Sequence, residues 1–437
     1  MKFKRWMAAF IAALMILLLG GCSLATVNEE RDMQQVVATI NGQPLKKIEM
    51  YALYEVYKSY YESQYGSLDG DDINSRAMLK QIKQDVVDRL VQNIVLLQKA
   101  KQEGYDQLSD EEIATVHEQF DSLVESNLGH YKKQYDDRVA KDPDFDADAA
   151  AMADLVAERA ASGRTMESWR QSYLDDAYIA KMQTAYDEQV TVTDEEAKGQ
   201  YDILLEAQKL AYDMEQDDTE ATDKLNTWVE EGTLDAAPDF ETDFNGGKTI
   251  VYYPDEKFVL VKQILVMIPE EERAAITAAQ YDENGSQTDE TKAASDKLYQ
   301  EALAKIQDKA DEVLEKIADG EAFDDLVEQY NEDTGMSSYM QQGGYLVGRD
   351  SGYVQPFIDG ALGLKEEGDT TDLVESSYGY HILQLTRILP QGEEVPFEEV
   401  KDEIMTPMLT EMQTTRWSEL LEQWMAEADI VLYEERW

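Results

Sequence analysis

Side chains suited to acid–base, nucleophilic or metal chemistry are few in this sequence. The histidines are His117, His130 and His381, and Cys22 is the lone cysteine. The histidines show none of the short spacings by which two ligands reach one metal ion. A single cysteine completes neither a zinc site nor an internal disulfide. No metal and no cofactor is expected. The best cation loop, Asp142, Asp144, Asp146 and Asp148, has Ala147 where a calcium loop needs glycine and Ala153 where it needs glutamate. Asn245-Gly246-Gly247-Lys248-Thr249 ends like a phosphate loop, but Thr242 stands at the required first glycine. Asn245-Gly246 reads instead as a tight turn, and nucleotide binding is rejected.

The chain has 437 residues, a net charge of −52 and 43% hydrophobic residues. That charge repels nucleic acid and anionic headgroups, so no nucleic-acid partner is expected. Its plain reading is a solvated surface; a sharper one is attraction of basic unfolded chains. Lys2, Lys4 and Arg5 precede the apolar run Trp6–Leu19, and Leu19-Gly20-Gly21-Cys22 follows. The run is shorter than the roughly 20 residues a spanning helix needs, and the layout is that of a secretory signal. The small residues before Cys22 resemble a bacterial lipobox. That likeness implies cleavage after residue 21, a lipid on Cys22, and membrane attachment on the extracytoplasmic face.

The remaining pattern must build what positions any site. Residues 22–35 read as a polar tether. Val36–Ile40 is a strand pattern, Asn41-Gly42 a turn and Lys47–Tyr65 a tyrosine-rich helix. Ile82, Val86, Leu90, Ile94 and Leu97 share one helical face. Ser109 with Glu112 and Thr193 with Glu196 are capping boxes that open two further helices. The span 113–190 is mostly helix-forming, either an ordinary helical core or a partly open apolar cleft for unfolded chain. Residues 213–243 are acidic and read as an irregular boundary. Phe258–Val266 is a strand, 269–297 a loop insertion, Ala302–Ala318 a helix, and Tyr380–Leu385 a closing strand. The fold class is therefore α+β: a largely helical region at 36–250, a small α+β domain with a mainly antiparallel sheet at 255–390, and a C-terminal helix at 391–437.

Within 255–390 an ordered series resembles the parvulin-type peptidyl-prolyl isomerases. It comprises Lys262–Val266, Phe323-Asp324-Asp325-Leu326, Tyr330–Asp333, Gly343-Gly344-Tyr345-Leu346, Val354–Phe357, Gly363–Gly368 and Tyr378–Ile382. Val37–Gly42 and Gln98–Gly104 are similar to the N-terminal domain of SurA-like chaperones. Together with the lipobox, this is the layout of the PrsA-type foldase lipoproteins. The resemblance implies that the C-terminal helix folds back onto the N-terminal domain.

By that resemblance, Leu346, Tyr353 and Phe357 floor a proline pocket with Leu362 nearby; plain core packing is the other reading of these four. His381 matches one of the family's two central histidines, and Asp333 falls where the family carries cysteine or aspartate. Gln263 replaces the second histidine; it still gives and accepts hydrogen bonds but cannot titrate. The implied function is an extracytoplasmic folding factor that binds unfolded exported proteins and isomerises X-Pro bonds. A second reading is a holdase chaperone whose isomerase domain is weakly active or inactive, and a third is a solute-binding lipoprotein. A homodimer through the N-terminal helices is compatible with the sequence, which carries no signature for it.

Overall fold

The computed structural model describes residues 29–68, 72–142, 144–215 and 218–437. The signal segment and Cys22 lie outside the described residues. Among the described residues, no helix is long and apolar enough to cross a membrane. The chain divides into two compact units: residues up to Thr191 together with Glu411–Trp437, and Val192–Thr410.

The first unit is mainly helical around a small sheet. Val36–Ile40 and Gln43–Lys46 form a hairpin in which Ile40 faces Gln43 across the Asn41-Gly42 turn. The last strand, Ile430–Leu432, pairs antiparallel with the other side of Val36–Ile40. Helix Ile73–Gln102 buries Ile82, Val86, Val91 and Val95 against this sheet, and Met50, Leu420 and Trp424 close the same core. With Val87 buried as well, Ile82 and Val86, then Val87, Val91 and Val95, follow a four-residue spacing that turns one helix face inward. A second core joins Phe120, Leu155 and Trp169 from helices Asp110–Lys132, Ala147–Ala161 and Met166–Asp187.

The capping boxes form as read. Ser109 Oγ accepts from Glu112 N at 3.2 Å, and Thr193 Oγ1 accepts from Glu196 N at 3.2 Å. Two aspartates of the failed calcium loop have local roles. Asp146 caps the helix Ala147–Ala161 by accepting from Ala149 N, and Asp148 pairs with Lys132.

The second unit is built on a four-stranded antiparallel sheet. Its order is Tyr345–Val347, Val259–Met267, Gly379–Ile388, Val374–Ser376. The fold class is α+β. All strand pairs among the described residues are antiparallel. This removes the solute-binding reading, whose architecture alternates strands and helices around parallel sheets. Helix Asp194–Tyr212 belongs to this unit because Gln208 ties it in. The buried Gln208 side chain accepts from Val251 N and Tyr252 N and donates to Thr249 O.

Three segments differ from the sequence reading, the first being the tether 22–35, where Glu29–Met33 is helical and Asp32 pairs with Lys47 at 2.7 Å. The span 269–297, expected as a loop, holds helix Glu270–Ala279 and the first turns of helix Asp289–Ala318. Three glutamates in the first turn favour the former. The latter starts at Thr288, which accepts from Thr291 N, a cap that a search for glutamate at that position passes over. The acidic stretch 213–243 likewise contains helices Thr219–Glu230 and Phe240–Asn245, each capped by an aspartate. Asn245-Gly246, read as a turn, is the end of the second of these, and Lys248 pairs with Asp243.

Candidate functional site

The central strand Val259–Met267 carries Gln263, and its neighbour Gly379–Ile388 carries His381. Gln263 sits opposite Leu383 in the register, so His381 is its diagonal neighbour on the same face of the sheet. The segment after helix Phe323–Tyr330 is pinned along the strand. Glu332 N donates to Leu265 O at 2.9 Å, and Asn331 Oδ1 accepts from Leu265 N at 2.9 Å and Asp333 N at 3.1 Å. This clamp sets the Asp333 carboxylate beside Gln263.

The contacts form one continuous row. Tyr345 OH donates to Asp333 Oδ2 at 2.7 Å, and Gln263 Nε2 donates to the same oxygen at 2.6 Å. Gln263 Oε1 lies 2.7 Å from His381 Nδ1, and His381 Nε2 lies 2.6 Å from Ser376 Oγ. Ser376 Oγ accepts from Tyr378 N at 3.1 Å.

The chemistry of each group fixes the direction. An ionised carboxylate only accepts, so the glutamine presents its NH2 to Asp333 and its carbonyl oxygen to the imidazole. Nδ1 of His381 must then carry the proton, and Nε2 accepts from the serine hydroxyl. Every donor in the row points toward Asp333.

Burial holds the imidazole neutral: it lowers His381 to about 4, with the Asp333 charge pulling the other way. In the unfolded chain the imidazole titrates near its ordinary 6.5. The unfolded state therefore binds the extra proton between those values, and stability is full above pH 6.5. It falls as pH drops toward 4, by about 3 kcal/mol from this group. An NMR titration of the His381 ring should give a midpoint near 4; a midpoint above 6 would mean that the row does not hold a neutral ring.

Beside the row runs a line of aromatic rings. Centroid distances are 4.8 Å for Tyr339–Tyr345, 5.5 Å for Tyr345–Tyr353, 5.1 Å for Tyr353–Phe357 and 5.5 Å for Phe357–His381. Phe357 is 2% exposed and forms the floor, while Asp333, Tyr339 and Tyr353 remain half-buried at the rim. Burial raises the phenols of Tyr345 and Tyr353, the latter to about 12, so both stay protonated. Met336 is fully buried, and its sulfur accepts from Gln263 N at 3.3 Å. Gly335 leaves room for the row: a Cβ there would lie 2.8 Å from the Tyr345 hydroxyl.

The structure brings Gln263, Asp333, His381, Tyr353 and Phe357 together, with Leu362 packed against the same core. It does not bring Leu346 there. Leu346 packs on the opposite face of the sheet with Phe240, Phe258, Leu260 and Leu389. Side chains alternate along a strand, so Tyr345 takes the inward position that the sequence reading gave to its neighbour. Tyr345, Met336 and Ser376 were not singled out from sequence. The signal for Tyr345 was its place beside Gly343-Gly344; buried methionine and serine gave none.

Comparison with known proteins adds the family context. Residues 288–387 match the PPIC-type PPIASE domain, and residues 1–150 match the SurA-like N-terminal domain. The first match holds Asp333, Tyr345, Tyr353, Phe357, Ser376 and His381; the strand that supplies Gln263 precedes it, separated by the inserted helix. Foldase protein PrsA of Clostridium perfringens is 27% identical over 159 residues, 36% of this chain and 46% of that protein. Foldase protein PrsA 3 of Bacillus cereus is 41% identical over 103 residues, 23% of this chain and 34% of that protein. The crystal structure of the peptidylprolyl isomerase PrsA from Bacillus anthracis aligns at 16% identity with a TM-score of 0.19, covering 78% of this chain and 96% of that one. The chain matches less than half the length of these curated relatives.

Proposed function

From a chain that joins a SurA-like N-terminal domain to a PPIC-type PPIASE domain and has PrsA foldases as homologues, we infer an extracytoplasmic folding factor that binds unfolded exported proteins and isomerises their X-Pro bonds. The single observation that carries this is the directed hydrogen-bond row ending on Asp333 beside the Tyr353–Phe357 ring pair.

Rotation about a peptide bond meets a barrier of about 18–20 kcal/mol because the planar amide is resonance-stabilised. No covalent bond breaks, so the site need only bind the twisted amide better than the planar one. In this reading Phe357 and Tyr353, with Tyr345 and Leu362 beside them, hold the proline ring in apolar surroundings. Such surroundings favour the less polar, twisted amide. Asp333 is the charged group next to it. Gln263 and His381 are positioning residues: they fix the direction of the row and hold Asp333 Oδ2 in place. Leu19-Gly20-Gly21-Cys22 supports membrane attachment through a lipid on Cys22, with the rest of the chain on the extracytoplasmic side.

A proline-containing peptide assay tests this. The wild-type chain should accelerate cis–trans exchange. A neutral histidine at position 263 can also donate to Asp333 on one nitrogen and accept from His381 on the other. Gln263→His therefore keeps the row and restores the family's paired rings, and we expect a gain on the order of tenfold, about 1.4 kcal/mol of barrier. No acceleration by either chain would end the isomerase reading.

One observation favours the holdase as a second reading. Helix Lys47–Tyr65 leaves Val56 63%, Tyr60 62% and Tyr65 70% exposed, apolar surface of the kind that engages unfolded chain. Suppressed aggregation of a test client without proline turnover would select it.

A further inference from the structure

The first compact unit contains a cleft of about 320 Å³ that the isomerase reading does not use. It is lined by Tyr54, Arg76, Leu79, Lys80, Lys83 and Trp437, with Glu434 at its edge. Arg76, Leu79, Lys80 and Lys83 follow the three- and four-residue spacing of helix Ile73–Gln102 and so share one face. The opposing walls are aromatic. Lys83 Nζ lies 5.7 Å from the Tyr54 ring centroid, and the Trp437 indole is held by donation from Nε1 to Val37 O at 3.3 Å.

The charge is the anomaly. The chain is −52 overall, and many of its lysines sit against carboxylates, as Lys99 does on Glu103, Lys181 on Glu112 and Lys101 on Asp175. Among the described residues, Lys80 and Lys83 have no carboxylate within ion-pair distance. Lys80 and Lys83 therefore stand uncompensated in the cleft among the described residues, where Glu434 is the one side-chain carboxylate; Arg76 beside them already has a partner. A local cationic concavity in an anionic protein focuses attraction on a short anionic group, while the long-range field still repels extended polyanions.

We propose that this cleft binds acidic peptide segments, seating a carboxylate between Lys80 and Lys83 and an adjacent aromatic or aliphatic side chain against Tyr54, Leu79 and Trp437. The volume suits one or two side chains. The mixed lining selects a carboxylate with an apolar neighbour over a bare anion. Such a site lets a strongly acidic protein retain acidic stretches of unfolded chain that its surface would otherwise turn away. This inference does not rest on the isomerase reading.

The test uses the full chain and fluorescence anisotropy of two labelled, proline-free peptides, Gly-Glu-Phe-Glu-Gly and its Gln-for-Glu counterpart, at low salt. The acidic peptide should bind at least tenfold tighter than the neutral one, and added salt should weaken it. The Lys80→Glu/Lys83→Glu double variant should lose at least tenfold in affinity, and Lys80→Arg/Lys83→Arg should retain it, with unchanged far-ultraviolet circular dichroism in both. Equal binding of the two peptides, or undiminished binding after charge reversal, would overturn the proposal. So would tighter capture of the chain by phosphatidylglycerol vesicles through the same lysines, because the ligand would then be a lipid headgroup. Displacement of the acidic peptide by inorganic phosphate at equal concentration would also overturn it, by showing a plain anion site.

Discussion

Phe357→Ala should remove the proposed proline turnover and cost the second unit about 3–5 kcal/mol, whereas Leu346→Ala should lower stability yet leave turnover per folded molecule unchanged. Phe357 is 2% exposed and packs against Tyr353 and, edge to face, against His381. Truncation therefore leaves a cavity where the proline ring would rest and withdraws one wall from the neutral imidazole. Leu346 is 1% exposed, but it lies on the other side of the sheet with Phe240 and Phe258. Its loss should cost about 2–5 kcal/mol, as for any buried leucine. Urea unfolding gives the stabilities, and the peptide assay, scaled to the folded fraction, gives the turnover. Phe357→Leu provides a milder step if the alanine variant does not fold. Loss of turnover per folded molecule in Leu346→Ala would return that residue to the pocket and reverse the assignment made for Tyr345.

Gly344→Ala should be among the most damaging single substitutions in the sheet. Gly344 has φ +115°, and a Cβ there would lie 2.2 Å from Val261 O and 2.4 Å from Val261 C. Both obstacles are backbone atoms of the central strand, so no side-chain rotation relieves the clash. The strands would have to separate just where Tyr345 enters the row. The expected loss exceeds about 4 kcal/mol, the range reserved for a few mechanisms of which backbone strain is one. Gly352→Ala is the matched control. Its Cβ would meet nothing within 4 Å, so its denaturation midpoint should stay within about 0.5 kcal/mol of wild type. Coincident midpoints for wild type and Gly344→Ala would show that the two strands do not approach as closely as described.

Much of this fold is legible in sequence because its signals are local. The helix Lys47–Tyr65, the Asn41-Gly42 hairpin and the two Ser/Thr–Glu capping boxes depend on residues three or four apart. The misses have physical causes too. Strand Tyr345–Val347 has three residues, all buried. With both faces covered, hydropathy does not alternate, so nothing in the pattern states which neighbour points toward Phe357. The helices within 213–243 and 269–297 are acidic, and three of the four are capped by Asp218, Asp239 and Thr288. Charge density there outweighed capping in the sequence reading. Gln263 and His381 were paired by likeness to a family. The polarity of their row came only from geometry, because it depends on which amide atom faces Asp333. Ser376 reads in sequence as one more strand-end hydroxyl.

Helix Phe397–Glu427 packs Val400 and Ile404 in one core and Leu420 and Trp424 in another, and the strand just after it completes the sheet begun by Val36–Ile40. The first strand among the described residues must therefore wait for its second partner, encoded almost four hundred positions downstream. Residues 192–410 are contiguous, so this unit is fully synthesised while the tail is still emerging. A chain delivered end-first would thus complete its middle before its beginning. Interrupting synthesis after residue 410 should yield a finished sheet domain attached to an unsealed helical one.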